Sequence, residues 1–194
     1  MSQTWVVAPT CPPLVVRRCH SCPSDRFRAS GKFRVNAHHK SLDVWLLVLC
    51  AGCGQTAKLT VFERVNVRSL RPDLLDRLHT NDPGLTAELL QHPAVLHRNG
   101  VALDWTGAWR LDVTGPGLDP GPGPSPGPGP ADDDALEVSV RFAAHIPLRP
   151  VRLIADGLGV SRAEVKRLID EGKIVSAHRL SGKAGGDFTF LLKG

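Results

Sequence analysis

R-C-H-S-C-P at Arg18–Pro23 and L-C-A-G-C-G at Leu49–Gly54 hold two Cys-x-x-Cys pairs, with 27 residues between Cys22 and Cys50. Each short turn can aim two sulfurs at one point, and two such turns supply the four donors of a tetrahedral ion. Cys19, Cys22, Cys50 and Cys53 are therefore expected to bind one metal, zinc by choice of ligand. Four thiolates fill that coordination sphere and leave no place for a reactive water, so the expected role is structural. Gly52 and Gly54 suit the second knuckle if its turn needs positive φ, which Pro23 forbids just after Cys22. His20, His38 and His39 can substitute as ligands or meet phosphate, but solvated turn histidines are the plainer reading. Cys11 is left over, and among Val7, Leu14 and Val15 it reads as a small buried hydrophobe.

The residues between and around the pairs read as strands. Phe27, Ala29, Phe33 and Val35 share one parity, and Arg26, Arg28, Lys32 and Arg34 share the other, which is a half-buried strand or hairpin with a bulge at Gly31. Four cations on one side can track a phosphate backbone or form the wet side of a sheet; the second is the simpler reading. The apolar run D-V-W-L-L-V-L ends on Cys50 and reads as the central strand, and T-A-K-L-T-V-F-E-R as a third. Upstream, T-W-V-V-A-P and L-V-V-R-R are extended pieces expected to lead into the metal module.

From Pro72 the period becomes helical. Leu74, Leu75 and Leu78 share a face of a first helix, and Leu85, Leu89 and Leu90 mark a second over Pro83–Gln91. A third turn is expected over Pro93–Arg98. V-A-L-D-W and A-W-R-L-D then read as two strands joined at Thr106–Gly107, with Trp105 and Trp109 covering the helices. Gly115–Pro130 contains 13 Gly or Pro among 16 residues, followed by Asp132, Asp133 and Asp134, and reads as a linker without a core.

Beyond it, L-E-V-S-V-R-F alternates as a strand. Pro150 opens a helix with Val151, Ile154 and Ala155 on one face, closed by Gly157 and Gly159. Ser161 and Glu164 form a capping box for the next helix, which buries Val165, Leu168 and Ile169 and stops at Gly172. The charge is segmented in the same way: residues 1–71 carry +8, 72–114 −3, 115–135 −4 and 136–194 +4. Basic ends around an acidic middle fit a polyanion-binding protein. No apolar run approaches the ~20 residues of a membrane span, and Met1–Pro13 lacks the features of a signal peptide. A cytoplasmic location is expected, where reduced thiols hold metal rather than form disulfides.

Three strands with a Cys-x-x-Cys turn at each end resemble a zinc ribbon, which implies that metal binding supplies the folding free energy a small sheet lacks. The run R-x-x-R-L-I-A-x-x-L-G-V-S-R-A-E-V-K-R-L-I-D-E-G-K-I from Arg149 to Ile174 resembles the RNA-binding domain of small-subunit ribosomal protein four. That resemblance implies that the two helices bind structured RNA, ribosomal or transfer. The matching positions are Ser161, Arg162, Lys166 and Arg167, with Arg149, Arg152 and Lys173 flanking; the family's next strand and Asn-Gly turn are replaced by I-V-S-A-H-R-L-S-G-K-A-G-G-D. The same helices resemble excisionase-type DNA-reading regulators, and the ribbon would also suit a protein-interaction adaptor. With F-R-V-N-A-H-H-K, L-D-V-W-L and E-R-V-N-V, the whole chain is similar to an uncharacterised bacterial family, domain of unknown function 1062.

The expected architecture is α+β. It comprises a zinc-ribbon-like module with a helical and β extension over 1–113, a Gly/Pro/Asp linker over 114–135 and a small basic α+β domain over 136–194. No catalytic motif is present, although folding could bring His79, His92, His97 and Asp104 together; a non-enzymatic protein is expected, without a small-molecule substrate.

Overall fold

A computed structural model describes residues 1–114 and 135–193. In chain order its elements are β1 (Ser2–Pro9), β2 (Leu14–Val16), β3 (Arg26–His38), β4 (Ser41–Cys50) and β5 (Thr56–Asn66), then a 3-10 turn at Val67–Ser69. Three helices follow, α1 (Pro72–His79), α2 (Pro83–Gln91) and α3 (Pro93–Asn99), and then β6 (Ala102–Asp104), β7 (Trp109–Thr114) and β8 (Leu136–Phe142). The chain continues through α4 (Pro150–Leu158), α5 (Arg162–Asp170), β9 (Ile174–Val175) and β10 (Phe188–Leu192). The fold class is α+β, and the described residues form two compact units. The linker expected over 114–135 lies outside the described residues apart from its two ends.

One unit spans Cys11–Thr106. Its antiparallel sheet has the order β5-β4-β3-β2-β6, so the three strands expected of a ribbon are extended on one side by two short ones. The apolar run does form the central strand of the first three. Period 2 decides its faces: Leu42, Val44, Leu46, Val48 and Cys50 are buried, whereas Trp45, Leu47 and Leu49 are only partly covered. The buried face meets Phe27, Leu59 and Val61, with Leu78, Leu85, Leu90 and Val95 of the helices in the same core. Proline at the first turn of each helix costs no hydrogen bond, since that N–H would have no helical partner. The bulge expected in β3 is present: pairing steps from Ala29↔Val48 to Phe33↔Leu46 around Gly31, whose φ is 74°.

The other unit combines Met1–Thr10 with Gly107–Gly194, and here the structure departs from the expected division. The first extended piece does not lead into the metal module. As β1, it pairs antiparallel with β7 and parallel with β8, in a sheet of order β7-β1-β8-β10-β9. Consequently β6 and β7 are not a hairpin across Thr106–Gly107: β6 pairs with β2 and β7 with β1, in separate sheets. Sequence neighbours usually pair, and nothing local in 1–9 announces a partner more than a hundred residues away.

Helix α4 packs on this sheet through a close approach. A Cβ on Gly157 would lie 2.4 Å from ring carbons of Trp5, itself 1% exposed and edge-on to Phe190 at 5.4 Å between centroids. Gly157 is thus an interior contact residue of the helix and does not close it; Gly159, at φ 67°, does. Trp109 takes the guanidinium of Arg152, a residue of α4, over its ring at 5.9 Å, while Trp105 is buried. Cys11 is exposed, contrary to the buried reading, because it sits in the bend before Pro12 and Pro13 rather than on a strand face.

Candidate metal centre and basic cleft

The first Cys-x-x-Cys turn lies between β2 and β3 and the second between β4 and β5, so both reach the same end of one sheet. The second is tied down by Cys50 N–H donating to Gln55 O and Gly54 N–H to Cys50 O, both at 2.9 Å. Gly54 has φ 74° and supplies the left-handed residue of the turn. Gly52 serves differently from expectation: its φ is not positive, but a Cβ there would lie 3.0 Å from Ser24 Cβ and 3.3 Å from Cys22 Sγ. The first turn closes through Cys19 N–H on Ser24 O at 2.9 Å, and Ser21 N–H points at Cys19 Sγ at 3.4 Å.

The four sulfurs lie within 4.8 Å of one another, with Cys19–Cys53 at 3.7 Å and Cys22–Cys50 at 3.5 Å. A tetrahedral ion at ~2.3 Å from each sulfur has an edge of about 3.8 Å, so the donor set fits one metal ion. Cys50 is fully buried and Cys19 nearly so, while Cys53 is exposed. The N–H of Cys53, then that of Gly52 and the side chains of Cys22 and Ser24, draw the Cys50 thiol down to about 6 against the effect of burial. For Cys22 the Ser24 N–H also favours the thiolate, but the sulfurs of Cys50, Cys53 and Cys19 together with burial push it up to about 12. Four crowded thiols thus compete for negative charge. A bound cation removes that competition by holding all four as thiolates. His20, His38 and His39 are exposed and outside this group. His79, His92, His97 and Asp104 are not brought together as ligands among the described residues: His92 accepts from Ala94 N–H, and Asp104 pairs with Arg26 at 2.8 Å.

The second site is in the other unit. Arg149, Arg152, Arg162 and Lys166 line one cleft of about 510 Å³, with Val151, Ile169 and Leu180 as its apolar wall. Ser161 is the N-cap of α5, accepting from Glu164 N–H at 3.1 Å. The capping box is only half made, because the Glu164 carboxylate turns to Arg167 instead of the Ser161 N–H. Arg167 also pairs with Glu171 at 3.1 Å, and Lys173 lies 3.8 Å from the same carboxylate. Arg167 holds Glu164 below the usual carboxylate range and is itself raised. Of the seven positions expected to meet nucleic acid, four therefore converge on the cleft, Ser161 shapes the helix, and Arg167 and Lys173 face carboxylates. Arg152 is intermediate, with Asp156 at 3.7 Å. Sequence reasoning misses Leu180, Ser181 and Gly182, which complete the cleft from the segment after β9; their only local signal is the turn-forming S-G-K.

The model of the family described as "Protein of unknown function (DUF1062)" matches residues 35–180, taking in Cys50, Cys53, α4 and α5. No curated protein and no solved structure matches the chain. No helix among the described residues is long and apolar enough to cross a membrane.

Proposed function

The chain belongs to this family of unknown function, and from that premise we propose that it is a non-enzymatic, zinc-bearing cytoplasmic protein that binds structured RNA through α4 and α5. The observation that carries the reading is the convergence of Arg149, Arg152, Arg162 and Lys166 on one cleft. Arg149, Arg162 and Lys166 have no carboxylate partner among the described residues, so each can meet a phosphate without giving up an ion pair. The exposed Arg152–Asp156 pair is worth under about 1 kcal/mol and is readily exchanged for a phosphate. The resemblance of Arg149–Ile174 to the RNA-binding domain of ribosomal protein four supports the choice of RNA. Zinc follows from the sulfur-only donor set, whose crowded thiols a soft tetrahedral ion relieves.

The test is affinity for an RNA hairpin and for duplex DNA of matched length, measured at several salt concentrations. Tight, salt-dependent RNA binding is expected, and Arg162→Ala or Lys166→Ala should each lower the slope of log K against log salt by about 0.9, the value for one phosphate left unneutralised. Preference for duplex DNA would favour the regulator reading, and equal feeble binding to both, unchanged by either substitution, would refute nucleic-acid binding by this cleft.

A further inference from the structure

The sheet of the Cys11–Thr106 unit has one face on its helices and another that the metal site and the cleft do not use. Register fixes what stands on it, because residues paired across strands project to the same side. Arg34 pairs with Trp45 and Trp45 with Thr60; Arg28 pairs with Leu49 and Leu49 with Thr56; Leu47 pairs with Lys58. The central strand thus presents Trp45, Leu47 and Leu49, all part-exposed, between Arg28 and Arg34 on one neighbour and Lys58 on the other. These three cations are exposed and form no ion pair among the described residues, in contrast to Arg26, which Asp25 and Asp104 hold at 2.6 and 2.8 Å.

We infer that this face binds single-stranded nucleic acid, with a base stacked on Trp45 and phosphates along Arg28, Arg34 and Lys58. Charge selects a polyanion, and the aromatic and aliphatic strip between the cations selects one whose π-faces are free. A duplex keeps its bases stacked inside and offers that strip nothing. Lys58 Nζ now stands 4.9 Å from the Trp45 ring centroid. At an exposed site that interaction is weak, so a base can take the ring while the ammonium turns to the adjoining phosphate.

The full chain is tested with Arg162→Ala and Lys166→Ala in place, so that the cleft contributes little and failure of either site is read separately. The probe is a labelled oligouridylate of about twelve nucleotides, within the usual site size for sheet-face binding. The expected result is binding that Trp45→Leu weakens by about 5-fold or more, as removal of one stacked base does. Arg34→Ala and Lys58→Ala should each reduce the salt slope by about 0.7. Melting temperature and metal content serve as folding controls. Photo-crosslinking of the probe should mark Trp45 in the chain that keeps it, whatever the substitutions do to folding. Crosslinks that avoid Trp45, equal affinity for a duplex of the same length, or displacement by polyglutamate as effective as by unlabelled oligouridylate would each overturn the inference, the last by assigning the face to an acidic polypeptide.

Discussion

Gly157 shows how a single position can oppose two general tendencies. Judged by helix propensity, alanine there would stabilise α4 by about 1 kcal/mol. Judged by packing, the new methyl would lie 2.4 Å from the Trp5 ring, and such overfilling costs typically about 1–3 kcal/mol. The second effect is the larger, because β1 and α4 cannot separate without opening the core around Trp5, Phe190 and Ile154. Chemical denaturation of Gly157→Ala should therefore show lower stability; a more stable variant would mean that the helix sits farther from the strand. Cys50 and Cys22 make the complementary point for charge: crowded sulfurs and nearby N–H groups divide their affinities for a proton in opposite directions, which neighbours in sequence alone do not disclose.

At the scale of elements, α2 depends on its N-cap. Asp82 accepts from Leu85 N–H at 2.6 Å and from Arg77 at 2.8 Å, and Arg77 also reaches Glu88 at 2.9 Å. The Leu85 N–H, and then Arg77, hold the Asp82 carboxyl below its ordinary range. A carboxylate with a depressed folded-state pKa stabilises above its unfolded value, and that contribution disappears as pH falls through the folded one. Asp82→Ala should lower the melting temperature at neutral pH, and the gap from the unsubstituted chain should narrow in acid; a gap independent of pH would contradict a stabilising role for the ionised carboxylate. The starts of α1, α2 and α3 were legible because a proline stands at the first turn of each, and leucines at helical spacing marked the inward faces of α1 and α2. So were β3, from period 2, β4, from its apolar run, and β5, as the strand after the second cysteine pair. The partners of β1 and the parting of β6 from β7 were not legible because they are non-local; the carboxylates that occupy Arg167 and Lys173 are local, three, four and two residues away, and helical spacing did offer the first two. Of the candidate sites, the cysteines could be read because spacing alone defines them, whereas the cleft needed Leu180–Gly182 brought back from a segment with no pattern of its own.

For the whole molecule, features are divided between two units: one carries the four-cysteine site and a basic, aromatic sheet face, the other a cationic cleft. An ion held by the four cysteines would bear on everything in the first unit, because both cysteine turns close the same end of its sheet, and Cys19 and Cys50 belong to its core. Structural zinc contributes on the order of 10 kcal/mol, comparable with the entire stability of an ordinary domain. Removing it should thus unfold this unit, while the other unit, which has no metal-ligand group among its described residues, keeps its sheet. Hydrogen exchange of the full chain, with metal content read by native mass spectrometry before and after chelation, tests this most directly. The predicted result is one zinc per chain and, on its removal, collapse of protection in β3, β4 and β5 with β1, β8 and β10 still protected; a metal-free chain equally protected in all six strands would contradict it.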